Sequence, residues 1–185
     1  MVTGPSGAGK GTLIERVLPR FPELALAVSA TTRPKRAGEE DGRHYYFLTR
    51  EEFDRRKDAG EFLEWVDYVG NNYGTLLTEI GRLRAEGKAP LLELETEGAL
   101  RVKRKVERAV TIFVTAPLPE LERRLQERAT ESTGEIGGRI ETAKLQLGQK
   151  GEFDFEVEND DRDRAADALA AIVGRELAAA TMISR

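Results

Sequence analysis

Within its first dozen residues the chain reads Gly4-Pro5-Ser6-Gly7-Ala8-Gly9-Lys10-Gly11-Thr12, and this stretch limits the possible folds more than any other. Gly4, four intervening residues, Gly9 and Lys10 match the pattern of a phosphate-binding loop set between a strand and a helix. Glycines accept positive φ, so successive backbone N–H groups can turn inward toward phosphate oxygens. Helical spacing continues from Leu13 to Leu18, which aims the positive end of a helix at the same point. Lys10 adds a full charge that can follow a phosphoryl group in transfer. The residue after Lys10 is Gly11, where a serine or threonine hydroxyl ordinarily holds Mg²⁺; Thr12 or a water is left to take that part. Only three residues precede Gly4, fewer than the ~5 of an ordinary strand. Either the first strand is stunted or further residues lie upstream of Met1.

The rest of the chain alternates strand and helix patterns around one interruption. Pro19 ends the first helix, and Leu24 to Val28 reads as a short strand. From Ser29 the composition turns to arginines, acids and aromatics on short segments. Tyr45 to Leu48 and Phe62 to Val66 read as strands, Thr49 with Glu52 as the capping box of a helix stopping near Gly60, and Gly70-Asn71-Asn72 as a turn. Regular alternation then resumes. A helix from Leu76 to Glu86 is closed by Gly87, and a strand runs from Pro90 to Leu94. A helix follows from Gly98 to Arg108, then an apolar strand from Val110 to Val114 and a helix from Glu120 to Arg128. The polar segment from Ala129 to Gly138 suits a mobile flap. A helix to about Leu147, a strand near Phe155 and Val157 and a terminal helix complete the pattern, the last with Ala166, Leu169, Ala170, Val173 and Leu177 on one face. The expectation is a three-layer α/β/α fold with a parallel central sheet. Residues 1–30 and 76–185 would form its phosphate-loop core, residues 31–75 an inserted lobe with its own small sheet, and residues 129–138 a lid.

Composition narrows the function. At 185 residues the chain suits one domain with an insertion. A net charge of -4 argues against general nucleic-acid binding, which brings a basic excess, so a phosphate ligand would rely on local arginine clusters. Without cysteine neither a disulfide nor a thiolate metal site is available. No apolar run approaches the ~20 residues of a membrane span, and a cytoplasmic location is the default expectation. Oligomeric state is not legible.

The clusters required lie in the insertion, in the run from Thr31-Thr32-Arg33 through Pro34-Lys35-Arg36-Ala37-Gly38-Glu39-Glu40-Asp41-Gly42-Arg43-His44 to Tyr45-Tyr46-Phe47-Leu48. Arg33 and Arg36 offer planar forks that grip phosphate by two prongs, and Tyr45 and Tyr73 can add hydroxyl donors. Together with the loop, these eighteen residues resemble the guanylate kinase family, which moves a phosphoryl group from ATP to GMP. The agreement extends to Phe62-Leu63-Glu64-Trp65, Asn72-Tyr73-Gly74-Thr75, the helix ending at Arg128, and Asn159-Asp160.

The resemblance implies an ATP site on residues 4–12 with Asn159 near the adenine, and a GMP site on Ser29, Arg33, Arg36, Glu39, Tyr45, Glu64, Tyr73, Thr75 and Glu95. Lys10, Arg33, Arg36, Arg124, Arg128 and Arg139 would form the catalytic cationic cage, the last three as lid arginines. Mg²⁺ would accompany ATP, with Thr12 its candidate ligand. On residue chemistry, Glu64 suits guanine, because one ionised carboxylate accepts from both N1–H and the exocyclic amine; adenine has no donor at N1. Such a site can reject adenine by ~10⁴-fold. Taken singly, Glu64 also reads as a strand-surface acid, Arg124 and Arg128 as a charged helix face, and Asn159 as a turn residue. Relatives usually carry Asp where Glu95 stands and Gln where Glu97 stands. His44 is assigned no role, and Trp65 is expected in the core. A kinase of another acceptor, such as a ribose bisphosphate, shares the architecture but not Glu64 with this signature. Inactive protein-binding relatives typically lose loop residues that this chain keeps in Lys10.

Overall fold

The computed structural model describes residues 1–127 and 133–183. Its strands are β1 (Val2–Thr3), β2 (Leu24–Leu26), β3 (Ala30–Thr31), β4 (Tyr46–Phe47), β5 (Phe62–Tyr68), β6 (Asn71–Leu76), β7 (Ala89–Leu91), β8 (Ile112–Thr115) and β9 (Phe155–Glu158). Its α-helices are α1 (Lys10–Val17), α2 (Arg50–Asp58), α3 (Leu77–Ala85), α4 (Thr96–Lys105), α5 (Leu118–Glu127), α6 (Thr133–Gly148) and α7 (Arg162–Ile183). Among the described residues no helix is long and apolar enough to cross a membrane.

The central layer is parallel throughout, in the order β2-β7-β1-β8-β9. Strands β1, β8 and β9 pair directly, as do β2 and β7. The two sets join where Val2 N–H donates to Leu92 O at 2.8 Å and Leu94 N–H donates to Val2 O at 3.0 Å. Side chains alternate across this layer, as the period of a strand requires. Val2, Leu91, Ile112, Val114 and Val157 face α1 and α7, while Leu92, Leu94 and Phe113 face α3 and α4. Both faces are covered, which explains the unbroken apolar run in β8. The expected face of α7, Ala166 to Leu177, packs into the first of these clusters.

The insertion folds as a second sheet, in the order β4-β3-β6-β5, spanning residues 30–76. Thr49 caps α2 as expected, its Oγ1 accepting from Glu52 N–H at 3.1 Å, and the helix gives way to Gly60 at φ 70. Phe53 of α2 is fully buried and stacks on Phe62 at 4.5 Å. Burying such a ring contributes about 2–3 kcal/mol.

Some boundaries differ from the sequence reading. Residues 71 and 72, expected in a turn, begin β6; the reversal instead uses Val69 at φ 50 and Gly70 at φ 73. Asn-Asn-Tyr-Gly has low strand preference, but β6 lies between β3 and β5 and is held by pairing on both edges. Gly74 is required there, since a Cβ would come 2.8 Å from Phe62 Cδ1. Residues 133–138 of the expected flap are the opening turns of α6; residues 128–132 lie outside the described part.

Candidate functional site

The loop is held from below and from behind. Gly4 has φ 139, and a Cβ on it would lie 2.0 Å from Val114 O of β8, so only glycine lets the loop pass over that strand. Gly9, which precedes α1, has φ 85. Asn159, 2% exposed, donates from Nδ2 to Ala8 O at 2.7 Å. Arg124 donates to Gly7 O at 3.2 Å, to Asn159 O at 3.1 Å and to Glu120 Oε1 at 2.7 Å. Two residues expected at the adenine and in the lid thus fix the loop itself. Lys10 Nζ donates to Gly4 O at 2.6 Å and Pro5 O at 3.2 Å, leaving its third hydrogen for a phosphate.

Two cavities meet at Lys10. One, of about 330 Å³, is lined by Ser6, Gly7, Gly9, Lys10, Gly11, Thr12, Glu15, Glu93 and Glu95. The other, of about 300 Å³, shares Ser6, Lys10, Glu93 and Glu95 and reaches under the lobe to Ser29, Arg33, Arg36, Glu39, Tyr45, Glu64, Tyr73 and Arg139. Both open at the carboxyl ends of β1 and β7, where ligands bind in open α/β sheets. A larger cavity of about 640 Å³ sits at the opposite end, beside Met1, Leu24, Ala89 and Val110, far from these groups.

The lobe presents its side chains through strand alternation. On β5, Glu64, Val66 and Tyr68 line the second cavity, and their β6 partners Thr75, Tyr73 and Asn71 sit opposite in register. Glu64 is 3% exposed and accepts from Thr75 Oγ1 at 2.9 Å. Burial pushes its carboxyl up to about 7, against the smaller opposing effects of Thr75, Arg101 and Lys105. Arg33 is gripped by Glu39, Nη2 to Oε1 at 2.7 Å and Nη1 to Oε2 at 3.0 Å, and lies 5.4 Å over the Tyr45 ring. Bonding to Arg33 holds Glu39 down to about 2. Glu39, expected as a GMP contact, is committed to Arg33 and to the Arg36 N–H at 2.8 Å. Arg36 itself is exposed at the rim.

Three contributors were not singled out in the sequence. Glu93 lines both cavities; burial raises its pKa, Lys10 opposes the rise, and Glu95 adds to it. Tyr68 has its pKa raised by burial and then by Glu95, with Arg139 and Ser6 opposing the rise, and it lines the second cavity. Counting by twos from Glu64 would have found it. Gly98 of α4 lies against Glu64, since a Cβ there would come 2.6 Å from Glu64 Oε2. Arg128 lies outside the described residues.

A phosphate-type loop at the carboxyl edge of a parallel sheet, with a second cavity meeting it at one lysine, is the architecture of a P-loop phosphotransferase. The guanylate kinase family model matches residues 1–176. The chain is 49% identical over 179 residues to a guanylate kinase of Rubrobacter xylanophilus, covering 96% of this chain and 94% of that one. It is 45% identical to one of Synechocystis, covering 95% and 93%. The crystal structure of guanylate kinase from Anaplasma phagocytophilum superposes with a TM-score of 0.74 at 28% identity, covering 95% of this chain and 83% of that one. The chain belongs to the guanylate kinase family.

Proposed function

We propose that the chain transfers the γ-phosphoryl group of ATP to GMP, giving ADP and GDP, with ATP in the cavity of residues 4–12 and GMP in the cavity under the lobe. The observation that carries the site assignment is the meeting of the two cavities at Lys10, with a buried carboxylate at the far end of one and loop amides lining the other. Guanine donates N1–H and its amine to Glu64, with Ser29, Thr75 and Glu95 around the ring. Its phosphate meets Arg33, Arg36, Tyr45 and Tyr73. Glu39 sets the plane of Arg33, leaving Nε–H and one Nη2 hydrogen for phosphate. Residues 31–75 act as the acceptor lobe, and 129–138 with Arg124, Arg128 and Arg139 as the lid side.

An oxygen of the GMP phosphate attacks the γ-phosphorus as the bond to the bridging oxygen of ADP breaks. The attacking oxygen is already anionic, so no general base is needed. Catalysis rests on alignment and on neutralising charge between two polyanions. Lys10 stands where the cavities join, and closure of lobe and lid excludes water.

Mg²⁺ suits the donor set at this junction. Glu95 Oε2 is buried without a protein partner, Thr12 lines the donor cavity, and the Glu93 carboxylate lies 3.7 Å from where a Cβ of Gly11 would stand. Among the described residues no cluster of three acidic, His or Cys groups forms a cage. The ion would thus arrive on the phosphates and be held by Thr12, Glu93 and Glu95, largely through its waters. When bound it neutralises charge on the donor phosphates. We assign the reaction to the cytoplasm, with free nucleotides as partners. A coupled assay of ADP release with GMP, AMP, dGMP and no acceptor tests the proposal: release must require a guanine acceptor, and equal rates with AMP would refute it.

A further inference from the structure

The backbone passes between the central layer and the lobe twice, through residues 27–29 and residues 76–77. The first crossing lies against the side chain of Glu79, which is 2% exposed and stands in the opening turn of α3, the helix that the second crossing enters. Its Oε1 accepts from Val28 N–H at 3.0 Å and Arg82 Nη2 at 2.9 Å. Its Oε2 accepts from Tyr46 O–H at 3.0 Å and Arg82 Nε at 2.9 Å. Burial alone would raise its pKa, but these four donors more than offset that and hold it below the ordinary carboxylate range. A saturated, ionised carboxylate therefore ties together the first crossing, lobe strand β4 and the helix that receives the second crossing.

We infer that Glu79 is a positioning residue for the acceptor nucleotide, fixing Val28 and Tyr46 so that their neighbours Ser29 and Tyr45 face the GMP cavity. Ser29 follows Val28 directly, and its carbonyl accepts from Tyr46 N–H at 2.9 Å. Tyr45 precedes Tyr46 and points to the opposite side of the strand, where its ring meets Tyr73 at 6.1 Å. Tyr46 turned toward Glu79 thus means Tyr45 turned toward the cavity. No bond from Glu79 reaches the phosphate loop, so the donor site should not register its loss.

The inference rests on the acceptor-site reading above, and the test separates the two. Arg82 donates to both oxygens of Glu79 and cannot accept, so Glu79→Gln sets its amide hydrogens against an Arg82 N–H whichever way it flips. Tyr46→Phe removes one of the four bonds and little else. Misplacements well below those that cost ~100-fold should raise KM for GMP about tenfold in Glu79→Gln and about threefold in Tyr46→Phe, with kcat at saturating GMP and KM for ATP within about twofold of wild type. Glu64→Gln is measured in parallel. If it raises KM for GMP and neither other variant does, the positioning role is refuted while the acceptor site stands. If kcat and both Michaelis constants worsen together with Tm in both variants, Glu79 is merely structural and the inference is overturned. If Glu64→Gln leaves GMP untouched, the acceptor-site reading falls and takes this inference with it.

Discussion

Glu64 should couple guanine recognition to pH. Its carboxyl is raised from 4.5 to about 7 chiefly by burial, so in the empty site it is largely neutral below pH 7. A neutral carboxyl offers a hydrogen where guanine's N1–H and amine both need acceptors, so GMP binding selects the ionised form. Between about pH 8 and pH 6 the ionised fraction falls roughly tenfold, weakening GMP by ~1.4 kcal/mol. The same shift opposes stability at neutral pH. A raised acid favours the folded state most below its unfolded value of 4.5, and that advantage is lost as pH rises through about 7. At ~1.36 kcal/mol per pH unit the loss amounts to about 3 kcal/mol. Glu64→Gln should therefore melt higher than wild type at pH 8, by several degrees at ~2–4 °C per kcal/mol for a chain of this size, while binding GMP more weakly. The assay is KM for GMP from about pH 5.5 to pH 8.5 at saturating ATP, alongside thermal melts. The GMP phosphate titrates near pH 6, but equally in both proteins, so the difference between their profiles isolates Glu64. Parallel profiles, or a Gln variant less stable at pH 8, would refute the reasoning.

Lys10→Ala should lower kcat by ~10²–10³-fold, the scale of losing a charge-stabilising donor, with KM for ATP changed only a few-fold; steady-state kinetics with varied ATP decide this. Gly98→Ala puts a Cβ 2.6 Å from Glu64 Oε2, displacing the acid. It should raise KM for GMP at least tenfold and cost ~1–3 kcal/mol in urea unfolding, without altering KM for ATP. Asn159→Ala removes the closer donor to the Ala8 carbonyl, leaving it Arg124 Nη1 at 3.5 Å, a loss of ~1–3 kcal/mol. It should raise KM for ATP while sparing that for GMP, the reverse of Gly98→Ala.

What the sequence made legible was local. The loop is contiguous, and its glycines are dictated by their own φ angles and by β8 beneath. The Thr31-to-Leu48 run carries its arginine and tyrosine pattern within one segment, and the Thr49 cap of α2 needs only residues 49 and 52. Features built from distant segments were hidden. β6 has turn-like residues and exists through pairing with β3 and β5 on both edges. Glu79 depends on donors 51 and 33 residues away, and Asn159 reaches back 151 residues to the loop. Gly98 reads in sequence as a helix residue, and its reason is Glu64, brought against α4 when β5 docks.

The central claim, that two nucleotide sites converge on one lysine, is tested most directly by calorimetric titration with a ligand joining adenosine and guanosine through their 5′ carbons by a chain of phosphates. The account predicts one ligand per chain, displaced by ATP and by GMP alike, and weakened by Lys10→Ala and Glu64→Gln each. Displacement by ATP alone, with GMP still binding to the occupied protein, would contradict it.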